Sequence, residues 1–489
     1  MAIPKVLGTE TEFGIQVVGD PSFNPSLASA MVVNALVDRR RRVGWSYDAE
    51  TPRRDARSPF ADGFAPDIDG AAVNVVLTNG ARFYVDHAHP EYSSPETLDA
   101  RQAALFDKAG ELVAHQAAEV ASRLLPEGQR VALYKNNSDG KGSSYGSHEN
   151  VLIDRSLPFG RVIAHLPTFL VTRQLVSGSG KVGGEMGRGP ATFQVTQRAD
   201  FFEEVVGLET TLRRPLVNTR DEPHADERYR RLHVIVGDAT MSEVQTWLKV
   251  GTLAAFLAAL EDDALPDDLA LADPIGSAWA VSRDPELSGL LGLADGRTAT
   301  ALDLQWQYHE WLVAHHRRTE EPEVGSVLDG WADLLEDLER DPRRASDRLD
   351  WAAKLRLVEG YLGRGVAWDD PKLAAVDLQY HDLDPARGLF HRLVAGGRMQ
   401  RLFDDTEVAH AAEHPPTGTR AYFRGRCVRR YHDQLVAANW DSLIFDTGEE
   451  LLRRIPMMDP LKGTEALTGD LLDRSDDAAA LIDSLGGGT

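Results

Sequence analysis

Cysteine is almost missing from this chain: its 489 residues include one, Cys427. A single thiol excludes an intramolecular disulfide framework and fits a reducing compartment. Long apolar runs are missing as well. No stretch approaches the roughly 20 residues of a membrane-spanning helix, and the opening "MAIPKVLGTETEFG" lacks the apolar core of a secretory signal. The cytoplasm is therefore the expected location, with no membrane partner. Positive charge is scarce, with 53 Lys and Arg against 76 Asp and Glu, a formal net charge of −23. Nucleic acid and anionic lipid both demand a basic footprint, so neither is expected as the main partner.

What is present is ordinary globular material, 42% hydrophobic and 26% charged, in a chain too long for one simple core. One large domain with a smaller one is the expected organisation. The first half reads as strands and loops. "VLGTETEFGIQV" alternates, with Leu7, Thr9, Thr11, Phe13 and Ile15 on one face and Glu10 and Glu12 on the other. Asn79-Gly80 between the apolar runs of "AAVNVVLTNGARFYVD" predicts a β-hairpin. "RVALYKNN", "HENVLI" and "RRLHVIVGD" read as further strands. The second half is helical: "MSEVQTWLKVGTLAAFLAALEDD", "ALDLQWQYHEWLVAHHRR" and "VLDGWADLLEDLERD" place apolar residues at three- and four-residue spacing. The acidic end, "DLLDRSDDAAALIDSLGGGT", reads as a short helix with a frayed tail.

Chemistry concentrates in "RFYVDHAHPEYSSPE", residues 82 to 96. By the period-two rule Arg82, Tyr84 and Asp86 share one face, as do Glu10 and Glu12, His148 and Asn150, and Arg231 and His233. Any one of these strands is compatible with a solvated polar face, and a pair such as Arg82 and Asp86 with a surface ion pair of little worth. Recurrence on four strands points further, to a divalent cation beside an anionic ligand. Mixed carboxylate and imidazole donors suit Mg²⁺ or Mn²⁺ next to phosphates, with arginine pairing to phosphate oxygens.

Three other patterns carry less. "GSGKVG", Gly178 to Gly183, fits a dinucleotide fingerprint but no capped helix follows it. It also fails as a phosphate-binding P-loop, because Leu175 and Val182 stand where Gly and Ser or Thr belong. His87-Ala88-His89 matches the H-x-H of barrel metallohydrolases, yet a hairpin precedes it, so these histidines read as loop-shaping. The arginines 39 to 42 read as a solvated helix end, or a contact for an acidic partner.

The stretches "GTETEFGI", "TNGARFYVDHAHPEYSSPE", "LYKNNSDGKGSSYGSHEN", "FLVTRQLVSGSGKV", "NTRDEPHADERYRRLHVIVGD", "LQYHDLDPARGLFHRLV" and "PPTGTRAYFRG" resemble the family that handles Pup, the prokaryotic ubiquitin-like protein. That family contains a ligase attaching Pup to lysines and a similar deamidase that is also a depupylase. The resemblance runs from about Val6 to Arg430. "YVDHAHPEYS" resembles the deamidase form, where the ligase looks more like "YLDVGSHPEYA". The segment Gly44 to Gly70 resembles an extra deamidase loop, and "WDSLIFDTGEELLRRIPMMDPLKG" the deamidase ending. "TETEF" is closer to the ligase opening; Thr11 and Phe13 lie on the strand's other face, so this exchange is expected to repack a core.

The resemblance implies an α+β fold like glutamine synthetase: a curved, mostly antiparallel sheet backed by helices, with a large catalytic domain over residues 1–413 and a small C-terminal domain over 414–489. It implies Asp86 as catalytic base or nucleophile. Glu10, Tyr84, Glu91, His148 and His233 match positions around metal ions, and Arg82, Ser94, Asn150, Arg231 and Trp440 positions around the nucleotide. Glu12 and Glu149 are weaker metal or support candidates. The implied cofactors are ATP, or ADP with phosphate, and Mg²⁺; the implied partners are Pup and pupylated proteins. The implied reaction deamidates Pup's C-terminal Gln and removes Pup from lysines by isopeptide hydrolysis. The Gly44–Gly70 loop is expected to gate access to Asp86 or tune activity. The alternative is the ligase, which joins Pup-Glu to lysine through a glutamyl-phosphate; a silent Pup- or nucleotide-binding protein is a third reading. Pup is acidic and largely disordered, so a locally basic groove is expected to fold its C-terminal part on binding; Arg401 and the arginines of "RGRCVRR" are candidates for it.

Overall fold

The computed structural model describes residues 2–36, 43–47, 50, 54–57, 73–185 and 188–486. Six strands form the main sheet: β1 (Leu7–Glu12), β2 (Asn74–Val76), β3 (Arg82–Asp86), β4 (His89–Ser93), β5 (Ser147–Asp154) and β6 (Tyr229–Val234). Their spatial order is β6-β5-β1-β4-β3-β2, with every neighbour antiparallel. Parallel pairing occurs only in smaller sheets among the described residues, so the architecture is α+β and mostly antiparallel, as expected. The hairpin predicted at Asn79-Gly80 joins β2 to β3.

The register decides which side chains meet. Glu10 lies opposite His148 on β5 and Ser93 on β4, Glu12 opposite Glu91, Tyr84 opposite Glu91, and His233 opposite Asn150. Because side chains alternate, these polar residues share one face and the apolar set takes the other. That apolar face is backed by helices α1 (Ala100–Ser122), α2 (Phe159–Thr172), α3 (Glu243–Glu261), α4 (Ala301–Thr319) and α5 (Pro322–Arg340). Leu7, Val151, Ile153, Leu232 and Val234 join Leu166, Phe169, Leu248, Phe256, Tyr308 and Trp331 in one buried core. Phe169 stacks on Phe256 at 4.3 Å, and burying each such ring stabilises the fold by about 2–3 kcal/mol. Local signals fix the helix ends. Asp99 caps α1 by accepting from Gln102 N at 2.7 Å. A Thr300–Asp303 capping box starts α4, and Glu320 in the left-handed region ends it before Pro322.

One expected strand is really two. The alternation through "VLGTETEFGIQV" breaks at Phe13, whose N–H donates to Pro90 O at 2.9 Å. The chain then turns into Gly14–Val18, which pairs with Arg130–Tyr134 in a separate sheet. Gly14 is needed at this break, since a Cβ there would fall 2.5 Å from the Tyr145 hydroxyl. Thr11 and Phe13 are buried on the helix side, with Thr11 Oγ1 donating to Asp107 at 3.3 Å, as a repacked core requires. The chain's end also differs from the single short helix expected: it forms two helices, Glu465–Arg474 and Ala478–Gly486.

A second cluster is built by the chain's last part. Strands Leu435–Ala438, Ser442–Phe445 and Arg453–Pro456 pair in sequence, and Gly44–Trp45 adds to the free edge of the first, parallel to it. Trp45 thereby packs with Phe423, Cys427, Leu443 and Phe445. The start of the segment read as a loop from Gly44 to Gly70 is therefore a sheet strand; residues 48–49, 51–53 and 58–70 of it lie outside the described residues, as do the arginines 39 to 42. No helix among the described residues is long and apolar enough to cross a membrane.

Candidate active site

The polar face of the sheet gathers two clusters able to hold a cation. Glu10, His148 and His233 bring one ligand atom each within 4.8 Å of one another, and so do Glu12, Asp86 and Glu91. In the first, His148 Nδ1 meets Glu10 Oε2 at 3.0 Å and His233 Nδ1 meets Asn150 Oδ1 at 2.9 Å, while Asn150 Nδ2 donates to Glu10 Oε1 at 2.9 Å. These bonds occupy the Nδ1 atoms and leave the Nε2 atoms for a ligand, the usual way outer partners aim imidazoles at a metal. Gly146 makes room: a Cβ there would sit 2.3 Å from His148 Nε2 and 2.7 Å from Glu12 Oε1.

Electrostatics separates the clusters. Burial would raise the Glu10 carboxyl, but the hydrogen bond to His148 and the charges of His233 and Arg231 hold it well below the usual range. Burial, reinforced by Asp86, Glu12 and Glu10, pushes Glu91 well above it, and burial raises Glu12 too. The second cluster thus concentrates negative charge that its neighbours only partly offset, which is the donor chemistry of a hard divalent cation. Asp86 ends β3. Burial raises its carboxyl, but the hydrogen bond and charge of His87 outweigh this and lower it. His87 in turn is raised to about 8, chiefly by the hydrogen bond to Asp86. His87 and His89 stand outside both clusters. His89 packs against Tyr145 with ring centroids 4.3 Å apart.

The other predicted residues divide between two adjoining cavities. An open cavity holds both clusters together with Arg82 and Tyr84. The Arg82 guanidinium lies between the rings of Tyr84 (3.8 Å) and Trp45 (4.0 Å), and its Nε donates to Asn74 at 2.8 Å. Tyr84 is raised well above its ordinary value by burial and then by Glu91, so its hydroxyl stays a donor. A smaller neighbouring cavity is lined by Ser94, Asn150, Arg231 and Trp440, and Glu10 borders both. Arg231 donates to Asn150 at 2.9 Å and to Glu10 at 3.3 Å, tying the cavities together. Ser94 Oγ accepts from Thr9 N at 2.9 Å.

Some placements differ from expectation. Glu149 points to the opposite face, where its carboxylate takes a paired hydrogen bond from Arg173 at 2.7 and 2.9 Å; it is a core ion pair, away from the site. Glu12, expected only as a weaker candidate, is a full member of the second cluster. Arg198, Arg214 and Arg220 line the larger cavity, and among the described residues none of them forms an ion pair. Arg198 donates to Ile235 O and Ser144 Oγ, and Arg214 to Thr210 O and Ser144 O. Burial brings Arg198 down to about 10. These charges line the same cavity as Asp86 and suit an oxyanion or phosphate. Arg220 stands within "NTRDEPHADERYRRLHVIVGD", but Arg198 and Arg214 sit in segments whose pattern gives no sign of them. The expected groove arginines are largely committed: Arg401 pairs with Glu243 and Asp405, Arg424 with Glu96, and Arg426 with Asp473.

A family model described as "Pup-ligase protein" matches residues 5–444. The chain belongs to the Pup-ligase protein family. Several relatives are similar over nearly full length. A "Depupylase" of Acidothermus cellulolyticus is 50% identical, covering 99% of each chain, and a "Pup deamidase/depupylase" of Mycolicibacterium smegmatis is 49% identical over 98% of this chain and 99% of its own. A "Pup--protein ligase" of Pseudarthrobacter chlorophenolicus is 39% identical over 96% of this chain and 99% of its own. Among solved structures of the family, the complex of Pup with its ligase superposes with a TM-score of 0.82 at 33% identity, covering 99% and 95% of the two chains. The Pup ligase in complex with ADP gives 0.75 at 37% identity, covering 82% and 89%.

Proposed function

We propose that this chain is a Pup deamidase and depupylase, an ATP-dependent amidohydrolase. One observation carries the reading: the Asp86 carboxylate, at the open end of β3, converges with Glu12 and Glu91 beside the Glu10–His148–His233 cluster. The relatives support the hydrolase over the ligase, since those named for deamidation or depupylation are 49–50% identical and the ligase 39%. The ligase-like "TETEF" carries no weight against it, because Thr11 and Phe13 are buried behind the sheet.

The substrate is the side-chain amide of Pup's C-terminal residue. Water adds its oxygen to the acyl carbon, the C–N bond breaks, and the leaving nitrogen departs as ammonia from Gln or as the amine of a lysine. Asp86 removes the proton from water or attacks the carbonyl itself. Arg198, Arg214 and Tyr84 face the same cavity and stabilise the oxyanion. Glu10, His148 and His233 would hold one Mg²⁺, and Glu12 and Glu91 a second. Bound, these ions supply positive charge that polarises the amide and neutralises phosphate. Trp440 and Ser94 would flank the nucleotide's base and sugar, with Arg231, Arg82 and Asn150 toward its phosphates. The described architecture fits a catalytic unit over residues 1–413 and a smaller one over 414–489, and the need for ATP fits a cytoplasmic location.

The test uses a purified Pup-conjugated protein with ATP and Mg²⁺. Release of the unmodified target is expected, lost on chelation of the metal and restored by Mg²⁺, with far less ADP formed than target released. Chelation is also expected to lower the thermal midpoint reversibly, as removal of a ligand bound only by the folded state must. ADP formed in proportion to new conjugate would instead establish a ligase. Release that persists in chelator would mean that hydrolysis needs no metal.

A further inference from the structure

The turn after Asp86 is built against its own backbone preference. Asp86 pairs with His89 across the β3–β4 hairpin, leaving His87-Ala88 as a two-residue loop. His87 occupies its first position with φ of 52°. A two-residue turn with positive φ there ordinarily takes glycine, and an L side chain in the left-handed region costs of order 1 kcal/mol. The turn is held in place independently of that side chain, because Ser29 Oγ donates to Ala88 O at 2.8 Å. Nothing in the backbone requires histidine.

What the histidine does is visible in the one side-chain hydrogen bond it makes among the described residues. His87 Nδ1 lies 3.0 Å from Asp86 Oδ2, while the rest of the ring faces outward, with 67% of the side chain exposed. The other histidine of the turn makes no such contact. His89 Nδ1 is 3.7 Å from Glu12, beyond hydrogen-bond range, and its ring is taken up by Tyr145. Asp86 stands at a strand end with 39% of its side chain exposed, and the hydrogen bond to His87 fixes one of its two oxygens. Backbone strain kept at such a place, with no structural return, marks function.

We propose that His87 is a positioning residue, which donates to Asp86 Oδ2 and so holds the other oxygen, Oδ1, toward the scissile amide. This rests on Asp86 acting in amide hydrolysis, and it accounts for a strained histidine in a turn that glycine would fill better. Reactive groups held in near-attack geometry gain rate without gaining substrate affinity, so the signature is a loss in kcat with KM unchanged.

The experiment compares H87G, H87N and D86N with the unsubstituted enzyme, using Pup ending in Gln and recording kcat, KM and the thermal midpoint. Glycine keeps the turn and removes the donor; asparagine tolerates the same backbone and restores an N–H donor. H87G is expected to lose roughly tenfold in kcat, the worth of one partly exposed charge-assisted hydrogen bond. Its KM and thermal midpoint are expected to hold, and H87N to recover several-fold over H87G. An H87G enzyme as fast as the unsubstituted one, with D86N inactive, would overturn the proposal and leave the hydrolase reading standing. A rise in KM, a fall in thermal midpoint, or an H87N enzyme no faster than H87G would overturn it too, since each assigns His87 to substrate contact or to folding. An unsubstituted enzyme that converts no Pup would remove both readings together.

Discussion

Asp86→Asn is expected to lower turnover of every Pup substrate by about 10²–10⁴-fold, the usual worth of a positioned base. Asparagine fills the same volume and still accepts from His87 Nδ1, so the hairpin is expected to keep its shape. What it loses is the negative charge and the basic oxygen: it neither takes a proton from water nor attacks a carbonyl. Nucleotide affinity is expected to stay within a few-fold. The residues assigned to the nucleotide, Ser94, Asn150, Arg231 and Trp440, line the neighbouring cavity, and Asp86 does not. Calorimetric titration with ATP, beside single-turnover deamidation, checks both halves. A D86N enzyme with ordinary turnover would take Asp86 out of the chemistry, and one that also fails to bind nucleotide would mean that its carboxylate holds the nucleotide's metal.

Glu96→Gln is expected to cost about 3 kcal/mol of stability at neutral pH, the lower end of what breaking a buried ion pair costs. Glu96 follows β4, and its carboxylate meets Arg420 Nε at 2.8 Å and also pairs with Arg424. Both arginines are buried, on the helix Arg420–Arg430, and Arg424 lies over the Trp440 ring at 4.9 Å. Burial raises the Glu96 carboxyl, yet the charges of Arg424 and Arg420 outweigh it and bring it from 4.5 to about 2. A depressed carboxyl contributes stability that is fully present above its unfolded value and lost as pH falls through the folded one. The difference in unfolding free energy between the two proteins is therefore expected to be full above about pH 5 and to shrink toward pH 2. Denaturant unfolding at pH 7 and pH 3 measures it. Since Glu96, Arg420 and Trp440 line the nucleotide cavity, E96Q is also expected to weaken ATP binding. Equal stability at both pH values would mean that the ion pair merely offsets its own burial.

Much of this site was legible because strands obey a period of two. Glu10 with Glu12, His148 with Asn150, and Arg231 with His233 each share a face by spacing alone, and the sheet then sets these faces side by side. The same rule puts Glu149 on the far side. Its place between His148 and Asn150 in one motif makes it look like a ligand, which shows how adjacency in sequence misleads where alternation does not. The break at Phe13 was hidden for a different reason: the apolar alternation continues through it, while the chain turns where Phe13 N–H donates to Pro90 O and Gly14 leaves room for the Tyr145 hydroxyl. Arg198 comes from an irregular segment whose side chains no periodicity orients, and Arg214 opens a short strand, Arg214–Asn218, that belongs to a separate two-stranded sheet. The edge strand at Gly44–Trp45 depends on a partner almost four hundred positions on, Ala437 and Ala438, and no local pattern announces such a pairing.

Hydrolase and ligase are separated in one experiment by following the intact mass of Pup ending in Gln, incubated with this protein, ATP and Mg²⁺. Conversion of the terminal amide to the acid is expected, dependent on nucleotide and metal, without ADP accumulating in proportion to product. No conversion, with Pup ending in Glu becoming attached to a lysine-bearing protein as ADP accumulates, would contradict the hydrolase assignment and make the chain a ligase.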